Sequence, residues 1–303
     1  MIEIVKVENK DQEREFVMFP FSLYKGCDYW VPPIISEELE SMDKEKNPVF
    51  ENAEAEFYIA KKDGVTAGRI AAMVNWVEIE EQKKNKLRFG WYDTIDDLEV
   101  SKKLLESVIE FGKKRKLEFV DGPVGFSNMD KAGLLIDGYE ELNTMITWYH
   151  YPYQKEHLKK LGFSKLAEWV EYKIKIFSAE DAPKKVKKFS KIIQQRYELK
   201  VLNFKSRKEI IPYVDKMFEL LNVTYSNLQT YVTIKQYQID FYKEKFIKYI
   251  HPDFIKCCLD KDDNLIAFLI TMPSFSRALK KINGKMGLMG YLRLFKAQHF
   301  NDR

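Results

Sequence analysis

The most constraining feature of the 303-residue sequence is an internal repeat that occupies both halves of the chain. In the first half, a short apolar strand is followed by a capped helix and then by a hairpin. The same order returns in the second half, where residues 199–204 predict a strand, Ser206 predicts a helix cap and residues 254–272 predict a hairpin. Repetition of one order at a fixed spacing is typical of a duplicated domain. The sequence therefore predicts two tandem copies of one fold.

The offset between the two copies is nearly constant. A shift of 197 residues places Val7 on Phe204 and Asn9 on Ser206. A shift of 200 aligns the two hairpins at four positions: Asp63 on Asp263, Gly64 on Asn264, Ala67 on Ala267 and Ile70 on Ile270. A difference of three residues between the two shifts is the size of an ordinary loop insertion.

The predicted elements of the first copy run in the order β-α-α-β-β-β-α-β-α-β, the last strand spanning residues 169–177, which defines an α/β domain with a mixed sheet. We place this domain at residues 1–177, a lysine-rich helical linker at 178–197 and the second domain at 198–303. The linker has an apolar stripe that we expect to be buried: Val186, Phe189, Ile192 and Ile193. The first copy continues for 107 residues after Ile70 and the second for only 33 after Ile270, so the second domain is expected to be incomplete.

Composition and charge exclude several classes of protein. A hydrophobic content of 45% is too high for a disordered chain, and 50 basic residues against 46 acidic ones give no electrostatic footprint for nucleic acid. The N-terminus has no secretory signal, and the longest apolar run, residues 265–272, is too short to span a membrane. The three cysteines have no metal-ligand spacing with the four histidines. We expect a cytoplasmic protein without a metal.

Several segments carry a family resemblance: Phe19-Pro20-Phe21 with Leu23-Tyr24, Trp30-Val31-Pro32-Pro33, Asn47-Pro48, Gly68-Arg69-Ile70-Ala71-Ala72, Gly122-Pro123, residues 133–138, residues 149–153 and the closing Leu161-Gly162-Phe163. Together with the order of elements, they resemble the GNAT acyltransferase superfamily, and more narrowly a bacterial family of tandem GNAT-like proteins. The resemblance covers residues 16 to about 172 well and the second half mainly through the repeated topology. It implies that acetyl-CoA or another acyl-CoA donates an acyl group to an amine.

The resemblance also implies where the cofactor would bind, and the first copy departs from that pattern. In GNAT proteins a glycine-rich basic loop opens a helix and holds the pyrophosphate on free backbone N–H groups. The matching segment here, Asp93 to Glu99, has no glycine and four carboxylates, and Leu158 stands where a tyrosine commonly protonates the departing thiolate. The cofactor site is therefore expected mainly in the part of the second domain that lies beyond this sequence. We interpret Gly284, Gly287 and Gly290 as turn residues.

The long polar loop from Gly122 to Tyr153 supplies the candidate site residues. His150, Tyr153 and Asp137 are candidates for catalysis, His150 as a base for a substrate amine, and Asn128, Asp137 and Tyr149 are candidates for substrate binding. The same residues also suit structural roles, because Asn and Asp satisfy turn backbones and the aromatic rings can pack on the last helix.

The sequence thus favours a GNAT-type N-acyltransferase, in its full-length form an N-acetyltransferase, acting on a small-molecule or peptide amine. Two alternatives stay open. One is an aminoacyl transferase that uses aminoacyl-tRNA, and the near-neutral charge argues mildly against it. The other is a non-catalytic binding or scaffold protein. We also expect that the incomplete second domain can self-associate through its hairpin edge, the strand at residues 265–272.

Overall fold

The computed structural model describes residues 1–127, 129–174, 178, 180–228, 230–246 and 251–299, and of residues 245 and 246 the backbone only. The chain divides into two compact units. The first contains Met1–Glu168 together with the residues from Pro273 onward, and the second contains Trp169–Met272. The fold is of the α/β class, as the sequence predicts, and each unit has its own sheet.

The first unit is built on a five-stranded mixed sheet. Its strands follow chain order: β1 (Ile2–Lys6), β2 (Ala53–Lys62), β3 (Val65–Asn75), β4 (Lys86–Thr94) and β5 (Phe119–Asp121). Neighbouring strands are antiparallel except for β4 and β5, which are parallel because helix α4 (Leu98–Lys114) connects them across the sheet. The sheet is therefore mixed, as the sequence predicts.

Helices cover both faces of this sheet. They are α1 (Lys10–Leu23), α2 (Ile35–Met42), α3 (Trp76–Glu80), α4 and α5 (Pro152–Lys160). The predicted cap is present at α1, where Asn9 Oδ1 accepts a hydrogen bond from the Gln12 N–H at 3.0 Å. One core packs α4 against Ile70 and Phe89, and the other packs Phe16 of α1 against Phe57. Burial on both faces explains why every residue of β4 is buried.

Two charged residues of β4 are buried because they form an ion-pair network. Arg88 binds both carboxylate oxygens of Glu78, at 2.7 and 2.8 Å. Lys86 Nζ lies 3.2 Å from Glu78 and 2.7 Å from Asp121. The network joins β4 to helix α3 and to the end of β5. Buried charges are tolerated here because each has a partner of opposite sign.

The second unit repeats the first part of the fold. It contains α6 (Lys184–Arg196), β6 (Lys200–Asn203), α7 (Arg207–Tyr225), α8 (Gln236–Phe246), β7 (Ile255–Leu259) and β8 (Leu265–Ile270). The three strands form an antiparallel sheet in chain order, as β1, β2 and β3 do. Both hairpins also have a register shift at the matching place, after Ala60 in β2 and after Cys258 in β7. The predicted duplication of strand, helix and hairpin is confirmed.

The register corrects one detail of the predicted alignment. The shift of 197 residues aligns Lys6 with Asn203. Lys6 pairs with Tyr58 and Asn203 pairs with Lys256, so Tyr58 corresponds to Lys256. Tyr58 pairs in turn with Ile70, whereas Lys256 pairs with Leu269. The counterpart of Ile70 is therefore Leu269 and not Ile270. The shift of 200 is wrong by one residue on this strand, because side chains alone gave no measure of the register.

Two further expectations for the second unit differ from the structure. The strand predicted over residues 169–177 is absent over 169–174, where no neighbouring strand pairs with the backbone, and residues 175–177 lie outside the described residues. The linker helix α6 forms as predicted, but no residue of it is buried, so the expectation of a buried stripe is wrong. Ile266, Leu269 and Ile270 of β8 are exposed, and self-association through this strand stays a prediction.

Residues 273–299 pack within the first unit, although their place in the sequence assigned them to the second domain. They form α9 (Ser276–Ile282) and α10 (Leu288–His299). Leu279 and Ile282 of α9 are buried against Val31 and Ile34. The backbone N–H of Ile35 donates to the carbonyl of Gly284 at 3.0 Å. The close approach at Gly284 requires glycine, because a Cβ there would lie 2.6 Å from the Phe21 ring in a backbone of φ 78°.

Candidate functional site

A buried polar cluster lies where the end of α1 meets the end of β4. The Tyr24 hydroxyl donates to Asp93 Oδ1 at 2.7 Å, and Arg69 donates to Asp93 Oδ2 through Nε at 2.8 Å. Nη1 of Arg69 donates to the Phe16 carbonyl at 3.1 Å. Tyr24, Arg69 and Asp93 are each less than a tenth exposed. Burial, followed by the neighbouring carboxylate of Asp93, holds the pKa of Tyr24 well above its ordinary value, so the phenol stays a donor.

A small cavity of about 20 Å³ adjoins this cluster. Its aromatic and apolar wall consists of Pro20, Tyr24, Trp30, Val31, Pro33, Trp148 and Tyr149. Its polar wall consists of Glu38, Arg69, Asp93, Lys131, Asn143 and Thr147. The volume is about that of one water molecule or one terminal functional group. The cavity is thus a place where charged and aromatic groups face the same small space.

Lys131 is the second cation of the cavity wall, beside Arg69. Among the described residues, no hydrogen bond or ion pair forms at its Nζ. Burial lowers the pKa of its ammonium, and the nearby Glu38 carboxylate opposes that shift only in part. Glu38 is itself held by the Trp91 indole N–H, which donates to Oε2 at 2.8 Å. Arg69, by contrast, forms an ion pair with Asp93, whose Oδ2 lies 2.8 Å from Nη2.

The outer edge of β4 is occupied by side chains of the same unit. Strand β4 is bulged opposite Ile70, with Trp91 in the left-handed region at φ 47°. Beyond the bulge, Gln154 Nε2 donates to the Tyr92 carbonyl at 3.2 Å and the Tyr153 hydroxyl donates to the Thr94 carbonyl at 2.7 Å. Both of these carbonyls at the edge of β4 are therefore hydrogen-bonded to helix α5.

The N-terminus of α4, where the resemblance would place the pyrophosphate, is capped by the chain itself. Asp97 Oδ1 accepts from the Glu99 N–H at 2.9 Å, and Asp97 Oδ2 binds Lys62 Nζ at 2.6 Å. Asp96 lies 3.2 Å from the ring of His157. These carboxylates satisfy the helix end and disfavour an anion there. Asp93 is not one of them, which corrects the expectation of four carboxylates at the helix start, because its side chain points inward to Arg69.

The missing general acid also has a structural explanation. Leu158, at the position where the resemblance expects a tyrosine, is 7% exposed and packs in the core beneath α4. A hydroxyl at that place would need a hydrogen-bond partner within an apolar cluster. The first unit thus has neither the helix-start loop nor the acid of the GNAT pattern.

The structure places two of the predicted site residues next to the cluster. The Tyr149 carbonyl accepts from the Tyr24 hydroxyl at 3.0 Å, and the Tyr149 ring lines the cavity. His150 is 1% exposed, and its Nδ1 accepts from the Leu135 N–H at 3.2 Å. Burial lowers the pKa of His150 to about 4, so the ring is neutral. In this arrangement Nε2 carries the proton, and the ring has no free lone pair to act as a base.

The other predicted site residues lie elsewhere. Tyr153 is at the edge of β4, where burial raises its pKa and its hydroxyl is bonded to Thr94. Asp137 lies on an exposed turn and accepts from the Gly138 N–H at 2.9 Å, the role expected of a turn residue. Asn128 lies outside the described residues.

Sequence reasoning missed Arg69, Tyr24, Asp93 and Lys131 as site residues. A signal was present for two of them, since Tyr24 and Arg69 belong to segments that carry the family resemblance. Those segments converge here, because Pro20, Trp30 and Tyr149 also line the cavity. Lys131 has no recognisable motif around it, and only the fold brings it to the cavity.

The order and pairing of the strands in the first unit agree with the GNAT resemblance of the sequence, and the second unit repeats the first part of that order. No family model matches the chain. Protein YghO of Escherichia coli is 25% identical over 290 residues, which cover 94% of this chain and 72% of YghO. The bacterial ceramide synthase of Caulobacter vibrioides is 22% identical over 174 residues, 57% of this chain and 45% of that enzyme.

The solved structures that match part of this chain include GNAT proteins. A GNAT acetyltransferase from Staphylococcus aureus aligns with 40% of this chain and 73% of its own, at a TM-score of 0.30 and 16% identity. A tandem GNAT protein from the clavulanic acid biosynthesis pathway aligns with 88% of this chain and 73% of its own, at a TM-score of 0.42 and 10% identity.

The described residues contain neither a cluster of metal ligands nor a membrane-spanning helix. Within the described ranges, no group of three or more His, Cys, Asp or Glu side chains is arranged to hold a metal ion. None of the helices in the described part of the chain combines the length and the apolar character needed to cross a membrane.

Proposed function

We propose that this chain is an N-acyltransferase in which the first unit binds the acceptor amine at the Lys131 cavity. The observation that carries this proposal is the cavity itself, where Lys131, whose Nζ bonds to none of the described residues, faces a carboxylate and aromatic rings. In the reaction, the amine nitrogen attacks the thioester carbonyl of an acyl-CoA. A C–N bond forms, the C–S bond breaks, and the CoA thiolate leaves with one proton.

The cavity wall suits an amine that arrives as an ammonium ion. Glu38 supplies a negative charge, and the rings of Trp30 and Trp148 supply faces that attract a cation. The amine must lose a proton before it can attack. A lysine with a lowered pKa can take that proton in its neutral form, which is the role that we assign to Lys131. Asp93 holds the site in place through Arg69 and Tyr24.

We further propose that acyl-CoA does not bind in the first unit in the usual GNAT manner. The occupied edge of β4 and the acidic start of α4 support this proposal. The donor site would then belong to the second copy of the fold.

The acceptor class includes small-molecule and peptide amines, and the Caulobacter relative adds a third class. A ceramide is the amide of a long-chain amine, so an enzyme named ceramide synthase forms the same kind of bond as the reaction proposed here. A long-chain amine is therefore an acceptor to test beside polar ones.

One observation favours a second candidate, a non-catalytic role for the first unit. The hydrogen bonds from Gln154 and Tyr153 occupy the backbone carbonyls of Tyr92 and Thr94 at the edge of β4. A unit with this edge closed serves as a binding module if the cavity holds a ligand that is never acylated.

The experiment is a transfer assay on the whole chain. Short-chain and long-chain acyl-CoA are each incubated with polar and long-chain amines, free CoA is measured with a thiol reagent, and amides are detected by mass spectrometry. Amide that forms in step with CoA release supports the proposal. An amine that binds but is never acylated supports the binding module, and CoA release without amide contradicts both.

A further inference from the structure

Helix α6 carries an apolar stripe that faces solvent along its whole length. The exposed fractions of its four apolar residues lie between 43% and 59%: Val186, Phe189, Ile192 and Ile193. Their spacing of three, six and seven residues from the first places them on one side of an α-helix. No residue of α6 is buried. A stripe of this kind normally lies against a core, so its exposure requires an explanation.

The rest of the same helix is cationic. Its thirteen residues include six basic side chains and no acidic one: Lys184, Lys185, Lys187, Lys188, Lys191 and Arg196. The chain as a whole is nearly balanced, with 50 basic and 46 acidic residues, so this helix concentrates positive charge. An apolar side flanked by lysine and arginine is the pattern of helices that lie in the plane of a membrane interface.

We propose that α6 binds the surface of an anionic membrane, with the stripe inserted among the acyl chains and the lysines at the lipid headgroups. The charge pattern selects this occupant. A nucleic acid would satisfy the lysines and leave Phe189 and Ile192 in water, whereas an apolar protein groove would satisfy the stripe and leave the cations unmatched. A lipid surface with negative headgroups satisfies both at once. The proposal stands independently of the proposed acyltransferase reaction.

Any test must distinguish the contribution of α6 from that of a second helix, α10. Helix α10 also exposes apolar side chains on one side, namely Leu288, Tyr291, Leu292 and Phe295, and carries Arg293 and Lys296. Its opposite side holds Leu294, which packs with α9. The proposal therefore requires that substitutions in α6 alone abolish most of the membrane binding.

The test uses the whole chain and vesicles of phosphatidylglycerol or of phosphatidylcholine. Binding is measured by flotation, and Phe189→Trp reports insertion through a blue shift of its emission relative to the parent protein. The apolar variant is Phe189→Ser with Ile192→Ser. The charge variant is Lys184→Gln with Lys185→Gln and Lys188→Gln. Matched controls are Val223→Ser, an exposed apolar residue of α7, and Lys113→Gln with Lys114→Gln at the end of α4.

We expect binding to phosphatidylglycerol vesicles that weakens with salt, and a blue shift of the tryptophan emission of the Phe189→Trp variant when vesicles are added. The apolar variant and the charge variant should each lose about tenfold or more in binding, and the controls and Phe189→Trp should not. Because α6 buries nothing, the variants should leave the circular dichroism spectrum and the melting curve unchanged. Four results overturn the proposal: no binding to anionic vesicles, equal binding by the α6 variants, a blue shift that depends on protein concentration without vesicles, or binding to duplex DNA in preference to vesicles. The third would identify a second copy of the chain as the occupant.

Discussion

The hydroxyl of Tyr24 and the carboxylate of Asp93, 69 positions apart in the sequence, meet at 2.7 Å in the interior of the first unit. The contact ties the end of helix α1 to the end of strand β4, immediately after the bulge at Trp91. Asp93 is only 6% exposed, and its carboxylate is bound by Tyr24 and by Arg69, which lies 2.8 Å away. The cavity beside them keeps its shape because these three side chains fix one another.

Asp93→Asn is expected to destabilise the chain by about 3 kcal/mol, because it leaves the guanidinium of Arg69 buried without a counter-charge. Tyr24→Phe removes one hydrogen bond to the same carboxylate and should cost about 1 kcal/mol. Urea unfolding followed by circular dichroism measures both changes. The control is Glu99→Gln, which breaks an exposed pair with Lys102 and should leave the midpoint unchanged. Equal midpoints for Asp93→Asn and this control would show that the cluster does not stabilise the fold.

The Glu78 network predicts a specific loss of stability in acid. Burial raises the pKa of Glu78, but Arg88 and Lys86 outweigh that effect and hold the pKa below its ordinary value of 4.5. A carboxyl with a depressed folded-state pKa contributes stability that is complete above 4.5 and is lost as the pH falls through the lower folded value.

Glu78→Gln tests this dependence. The variant should be less stable than the parent at neutral pH by about 3 kcal/mol, because Arg88 and Lys86 stay buried and lose the carboxylate that both of them bind. The difference should shrink as the solution is acidified, since the parent then protonates its own Glu78. Urea midpoints measured across the acid range check this. A difference that is constant with pH would mean that the ion pairs of Glu78 contribute nothing beyond packing.

The parts of the fold that local patterns encode were predictable, and the site was not. The cap at Asn9, the two hairpins and the repeat depend on residues close in sequence or on order along the chain. The register of β8 and the exposure of the α6 stripe depend on which strands and helices meet, which no local pattern records. Asp93 illustrates the limit, because its position beside other carboxylates suggested a helix start, whereas the bulge at Trp91 turns it inward.

Because the edge of β4 is already hydrogen-bonded, we predict that acyl-CoA does not slow amide hydrogen exchange in the first unit. Amide hydrogen exchange of the whole chain, measured by mass spectrometry with and without acetyl-CoA, should show no change over residues 91–101. The reason is that the start of α4 is already capped by Asp97, and the Tyr92 and Thr94 carbonyls are already bonded. Slower exchange of this segment in the presence of acetyl-CoA would place the donor in the first unit. It would refute the proposal that acyl-CoA does not bind there in the usual GNAT manner.

Lys131 predicts how the acyl transfer rate depends on pH. A lysine acts as a base only when neutral, so the rate should rise with pH through the lowered pKa of Lys131 and then level off. Lys131→Met should reduce kcat by about a hundredfold and remove that rise. Lys131→Arg keeps the positive charge but cannot lose its proton, and it should be as slow as the methionine variant. Lys102→Met on the surface of α4 is the matched control and should keep the full rate and the pH profile.

The KM for the amine shows whether Lys131 acts as a base or only binds the substrate. Loss of a base lowers kcat, whereas loss of a binding group raises KM. If Lys131→Arg restored the parent rate, the charge of Lys131 and not its basicity would be what the site uses, and the assignment of Lys131 as the base would be wrong.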